Sequence, residues 1–479
     1  MKRIITTAMM SVLMAGAALS APVEEAFVFE EKDGESVDAF RGKVMVPENR
    51  SNPDSREIPV TYVRFPATGG QKGYPIVYLA GGPGGSGVAT AKYRRFDMFM
   101  ALRAYGDVIA LDQRGTGASN ILPECESSKV VPPTARTSDE EFVALHRAAF
   151  EECVAFWKAE GVDVAGYNTV ENVRDIDDLR QALGAEKVVL WGTSYGSHLA
   201  LAAMKEMGEH IDRVVISSAE GLDQTIKLPA RTDAYFDRLQ AAVDSQPAAK
   251  AAYGDIKALM QRVHAKLEAE PVLLHARMRD GSTKDYLFHR RDMQQLASYM
   301  VSDPRSVSGL LSLYLAMDHG VTAPFEAMLG RWFVPGEPIR MDAMATLMDV
   351  ASGMSEGRRS LVKAQATNAL LGDWVNFSYH YDGLAPELDL GDAFRAGPTS
   401  DIPTLLLTGT LDGRTYIDGQ AEATAGLTRL TQVTVVNAGH NLFMSSPEVQ
   451  QAINAFMEDK PQPRDEILLD LPDLSPQRQ

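Results

Sequence analysis

The stretch Lys187-Val188-Val189-Leu190-Trp191-Gly192-Thr193-Ser194-Tyr195-Gly196 decides how this chain is read. Its apolar run has no polar face, which predicts a strand covered on both sides, as in a parallel sheet. A sharp glycine-flanked turn follows, and a helix pattern runs from residue 195 to about 207. Ser194 therefore sits in a G-x-S-x-G sequence between a buried strand and a helix. A strained turn of that kind lifts a serine hydroxyl above the sheet, and the two glycines relieve crowding around it. The bare five-residue pattern is weak; the strand before it and the helix after it give it meaning.

Working outward, the same alternation recurs. Residues 60–65 alternate like a half-buried strand, and 75–80 and 107–112 are short apolar runs that read as buried strands. A helix is predicted from an N-cap at Ser138, with Glu141 completing a capping box, to about 157. Another runs from about 170 to 183 and stops at Gly184. A strand at 214–217 closes this half. From about 221 to 385 the pattern turns mostly helical. Alternation resumes with strands at 403–407 and 433–436 and a helix at about 447–457. The expected organisation is a first core segment at 21–220, a helical cap at 221–385, a second core segment at 386–460, and a loosely ordered, charged, Pro-rich tail at 461–479. A helical insert between two halves of a parallel sheet lies over the strand ends, where ligands bind.

A serine is a poor nucleophile unless a histidine takes its proton and an acid orients that histidine. Past the insert, Asp412 follows the 403–407 strand and His440 follows the 433–436 strand, at the same sheet edge as Ser194. Asp418 is the rival acid, but it falls in the next helix. His198, one turn beyond Ser194, reads as a packing residue. A tetrahedral intermediate also needs fixed N–H donors. Tyr195 supplies one, and the loop Gly81-Gly82-Pro83-Gly84-Gly85-Ser86-Gly87 supplies the other through Gly81 or Gly82. That loop lacks the Gly-Lys-Ser/Thr ending of a phosphate-binding loop. The charged residues of Asp112-Gln113-Arg114-Gly115-Thr116-Gly117-Ala118-Ser119 are expected to brace it.

Composition bounds the rest. The 479 residues are 45% hydrophobic and 23% charged, as in an ordinary globular protein with a large core. A net charge of −17 argues against a nucleic-acid partner, whose phosphates demand Lys and Arg. Lys2, Arg3 and the apolar run 4–19 read as an export signal with a cut after Ser20, and the alternative is an uncleaved anchor. The mature chain is then expected to be exported, periplasmic or extracellular, without stable membrane insertion. The two cysteines, Cys125 and Cys153, are candidates for a disulfide in an oxidising compartment, or for two buried thiols.

In order and spacing, Gly81-Gly82-Pro83-Gly84, the Asp112 to Ser119 segment, Gly192 to Gly196 and the late Asp412 and His440 resemble the proline iminopeptidase and tripeptidyl aminopeptidase branch of the α/β-hydrolases. The resemblance spans most of 40–220 and 385–460 and is thin across the insert. It implies an α/β-hydrolase fold with Ser194, Asp412 and His440 as catalytic residues. It implies Gly81 and Gly82 as the oxyanion loop, and an aminopeptidase acting on small peptides with no metal and no cofactor. The chain carries Ala80 where many members have His, and its His380-Tyr381-Asp382 lacks the cysteine of the Cys-x-Glu segment found in many secreted members.

An aminopeptidase must hold an ammonium in a desolvated site, which requires a carboxylate. Asp382, Asp223 and Asp233 are the candidates. An esterase or other acyl hydrolase with the same triad, an acyltransferase, and a non-catalytic binding protein on this scaffold are the alternatives. Oligomeric state is left open.

Overall fold

A computed structural model describes residues 23–70, 73–330 and 334–476. The export signal read at 1–20 lies outside them. Among the described residues, no helix is long and apolar enough to cross a membrane.

Ten strands form one sheet. In spatial order they are Glu25–Glu30, Ser36–Pro47, Glu57–Phe65, Val108–Leu111, Ile76–Leu79, Val188–Ser194, Ile211–Ala219, Thr404–Gly409, Leu430–Val436 and Glu466–Leu468. The first three and their junction with Val108–Leu111 are antiparallel, and every later pair is parallel. The sequence explains the division. Ser36–Pro47 alternates buried Ala39, Val44 and Val46 with exposed neighbours, so it tolerates one wet face. Ile76–Leu79 and Val108–Leu111 are buried at every residue, so helices must cover both sides.

They do so with two separate cores. On one face Val77, Leu79 and Leu190 pack with Ile176 and Leu179 of helix Thr169–Ala182 and with Leu199 and Ala203 of helix Tyr195–Glu206. On the other, Tyr78, Trp191 and Val215 pack with Phe99 and Ile453. Trp191 sits at the centre of that face, with ring centroids 4.6 Å from Tyr78, 4.8 Å from Phe99 and 5.5 Å from Phe443. Truncating such a side chain to alanine costs about 3–5 kcal/mol.

The insert differs in part from the helical expectation. It builds its own core around Tyr235, Phe236, Met260, Leu310 and Tyr314. It also contains an antiparallel hairpin, Val272–Arg277 with Thr283–Phe288. Leu274, Ala276, Tyr286 and Phe288 point inward with period two, and Gly281 takes φ +85° in the turn after Asp280. A further strand, Pro338–Met341, pairs with Cys125–Val130 of the core. Cys125 and Cys153 form a disulfide with an S–S distance of 1.99 Å, which staples that pair to helix Asp139–Ala159. This helix starts at the capping box of Ser138 and Glu141.

The tail is not loose through residue 476. Glu466–Leu468 adds the tenth strand, and Leu474 is buried in the core of the insert. Gln246 clamps it, donating from Nε2 to the Pro472 carbonyl at 2.8 Å and accepting the Leu474 N–H at 2.9 Å. Burial of Ile467 and Leu474 outweighs the disorder-prone composition around them.

Candidate active site

The backbone makes the site first. Ser194 has φ 55° and ψ −129°, a positive-φ conformation that a serine keeps only where the surrounding structure holds it. The two glycines allow the turn. A Cβ on Gly192 would lie 2.5 Å from the Gly196 carbonyl oxygen, and a Cβ on Gly196 would lie 2.0 Å from that of Leu79. Strand and helix are therefore in backbone contact at this point, which only glycine permits.

The neighbouring strand brings the histidine. Ser194 pairs in register with Ala219, and Ser218 beside it donates from Oγ to the His440 carbonyl at 2.8 Å. The His440 N–H donates to the Ser302 carbonyl at 2.7 Å. Gly413 and Gly439 let the 301–303 segment come this close, since a Cβ on either would lie 2.2 Å or 2.5 Å from a carbonyl oxygen of Val301 or Ser302. The insert thus rests directly on the loops carrying Asp412 and His440.

Asp412 is fully buried and saturated. Its carboxylate accepts from the Arg414 N–H at 2.8 Å, the Thr415 N–H at 2.9 Å and the Thr415 hydroxyl at 2.6 Å. His440 Nδ1 lies 3.0 Å and 3.1 Å from its two oxygens. Burial alone would raise this carboxyl, but His440 and the Thr415 donors hold it below its usual value. An Nδ1–H donated to Asp412 leaves Nε2 as the free base. The rival Asp418 is exposed at the start of helix Ile417–Thr424.

The glycine loop lies against the same serine. A Cβ on Gly81 would fall 2.8 Å from the Thr193 carbonyl oxygen and 3.2 Å from Ser194 Cβ. The loop is closed by the Gly85 N–H on the Gly81 carbonyl at 3.1 Å, and Gln113 donates to the Ala80 carbonyl at 2.9 Å. Asp112 braces it further, accepting from Ser86 Oγ at 2.6 Å and the Val88 N–H at 3.1 Å. Tyr195 opens its helix, so its N–H has no intrahelical acceptor and is available beside Gly81 and Gly82. Arg114 is buried away from this cleft in a two-point pair with Asp175, at 2.6 Å and 2.7 Å. His198 is also buried, between the Gly221 carbonyl at 3.2 Å and Ser352 Oγ at 3.4 Å, and burial pushes it down to about 4. It packs as expected.

The three carboxylates named as amine anchors are all committed to internal partners. Asp382 is held by Arg359 through two contacts at 2.6 Å and 3.0 Å. Asp223 accepts from the Ser355 N–H and hydroxyl at 2.7 Å and 2.6 Å and faces Arg358. Asp233 caps the Leu370 N–H at 3.1 Å. Asp382 and Asp223 thus each face an arginine, whereas Asp233, on helix Pro229–Asp244, holds a single backbone N–H. Glu220 and Asp349 lie within electrostatic reach of the Tyr195 phenol, with Lys227 paired to Glu220, and no sequence motif marks them. Glu220 directly follows the register partner of Ser194, and that adjacency was the available signal. Among the described residues, no group of three or more His, Cys, Asp or Glu is arranged to hold a metal.

Residues 74–280 match the α/β-hydrolase fold model, and residues 391–467 match the model for TAP-like proteins. Serine protease Hip1 of Mycobacterium tuberculosis is 27% identical over 187 residues, 38% of this chain and 36% of that protein. Tripeptidyl aminopeptidase of Streptomyces lividans is 28% identical over 252 residues, 48% of this chain and 45% of that protein. These alignments span less than half the length of either relative. Among solved structures, a proline iminopeptidase-related protein from Thermus thermophilus aligns at 16% identity and TM-score 0.38 over 87% of this chain and 96% of that one. The chain is an α/β-hydrolase. Within that fold it is similar, over part of its length, to the TAP-like proteins and to tripeptidyl aminopeptidase.

Proposed function

We propose that the protein is an exported serine aminopeptidase that removes residues from the free amino end of peptides through an acyl-enzyme. The observation that carries the reading is the Asp412–His440 pair, tied through Ser218 to the strand that pairs with the positive-φ turn of Ser194. Ser194 Oγ attacks the scissile carbonyl while His440 Nε2 takes its proton. The oxyanion forms against the N–H groups of Tyr195 and of Gly82 or Gly81. The C–N bond breaks as His440 returns the proton to the leaving amine. Water, deprotonated by the same His440, then attacks the ester, and Ser194 leaves with the proton.

Peptidase activity is supported by the names of the curated relatives, and the free amino end by the tripeptidyl aminopeptidase among them. Export is supported by the apolar leader and by the Cys125–Cys153 disulfide, a bond that persists in oxidising compartments.

The test compares matched fluorogenic substrates: aminoacyl and tripeptidyl amides with free amino ends, the same amides acetylated, and simple acyl esters. Cleavage of free-amino amides that acetylation abolishes supports the reading. Turnover of esters alone replaces it with an esterase.

A further inference from the structure

Helix Ala343–Ser352 of the insert lies across the glycine loop. Ala345 Cβ is 3.5 Å from the position a Cβ would take on Gly84, and Met344 packs against Gly115. Ser352 approaches His198, one turn beyond Ser194 on the nucleophile helix. Residues 345, 349 and 352 share one face of a helix, so Asp349 lies on the face that meets the glycine loop and His198 of the nucleophile helix.

Two carboxylates, Glu220 and Asp349, are within electrostatic reach of each other there, and they differ in one respect. Glu220 already has a counter-ion: Lys227 Nζ lies 2.5 Å from its Oε2 and also donates to the Gln224 carbonyl at 2.7 Å. Among the described residues, Asp349 has no cation within 4.0 Å. The charged and polar groups facing it are Glu220 and Lys227 after strand Ile211–Ala219, Arg414 after Asp412, and the Ser378 hydroxyl. Arg414 is turned onto the Ser298 and Val375 carbonyls at 2.9 Å and 3.2 Å. Both Asp349 and Glu220 are within electrostatic reach of the Tyr195 phenol. Burial, with Glu220 as a like-charged neighbour, pushes the Asp349 carboxyl up to about 7. A partly enclosed carboxylate without a cation beside a nucleophile is costly unless something positive joins it.

Resting on the aminopeptidase reading, we infer that Asp349 receives the ammonium of the substrate's free amino end and so determines the specificity of the site. Glu220 cannot fill that role while Lys227 occupies it. The substrate supplies the missing cation, and the charge-assisted contact forms where water is largely excluded.

Asp349→Asn tests this with three readouts: kinetics on a free-amino aminoacyl amide, kinetics on its acetylated form, and the rate of labelling by a fluorophosphonate. The expected result is a KM for the free-amino substrate raised about 10- to 100-fold, the loss on removing one charged hydrogen bond. kcat should change little, the preference over the acetylated form should collapse toward one, and labelling should keep the wild-type rate. Asp349→Glu should recover part of the preference. Unchanged KM and preference in Asp349→Asn overturn the inference. So does an equal loss of labelling, which marks a structural role. Failure of the parent reading looks different: the wild-type protein itself would then not discriminate between the free and acetylated amides.

Discussion

Asp412 and Asp349 stand at the same rim of the sheet, one on the core and one on the insert, and they are built in opposite ways. The core gives Asp412 two N–H groups, a hydroxyl and an imidazole, all from its own chain. The insert gives Asp349 the Ser378 hydroxyl and no cation among the described residues. One carboxyl is held below its ordinary value and the other is pushed up to about 7. The difference separates two tasks. A group that must orient a base is satisfied before substrate arrives. A group that must recognise a cation is left incomplete until it does.

Variants on the core side should produce the largest effects. Ser194→Ala should lower kcat by about 10⁶-fold on whichever substrate the wild-type protein cleaves, with an unchanged far-ultraviolet circular dichroism spectrum. Asp412→Asn should lower kcat by about 10⁴-fold, because His440 loses the partner that fixes its tautomer. A loss confined to KM in Asp412→Asn would erase the contrast between the two carboxylates.

The insert side should respond in KM and to pH. Below about 7 Asp349 is protonated and presents no charge to an ammonium, so KM for free-amino substrates should fall as pH rises through about 7. Above about 8 the substrate amino group loses its proton, and KM should climb again. The acetylated substrate should show neither limb. Glu220, Lys227, Arg414 and Ser378 face the same carboxyl, so the fall should shift when Glu220 is neutralised as Glu220→Gln. The smallest effect is on stability alone. Replacing Cys125 and Cys153 together by serine should cost about 3.5 kcal/mol in denaturant unfolding, since the bond closes a loop of 28 residues. Catalysis in the folded fraction should be retained.

The core was legible because its signals are local and covalently close. A buried run such as Val188 to Trp191, a glycine on each side of Ser194 and a capping box at Ser138 are each short, local patterns. Asp412 and His440 could be placed because each follows a strand. The insert was harder for the same physical reason in reverse. Its hairpin at 272–288 carries the period-two pattern and an Asp280-Gly281 turn, but flanking helices dominate the composition. The docking of Leu474 depends on Gln246, which lies far away along the chain. Asp382 and Asp223 looked free because their cationic partners, Arg359 and Arg358, lie on a helix whose approach no sequence pattern announces. Charge partnership between distant segments decides which carboxylate is available, and only the folded chain reveals it.

The most direct test of the central claim is to label the protein with a fluorophosphonate and map the adduct by peptide mass spectrometry. A single adduct on Ser194, formed at a rate that collapses in His440→Ala, is the expected result. An unlabelled protein, or an adduct on any other serine that survives His440→Ala, would contradict the assignment.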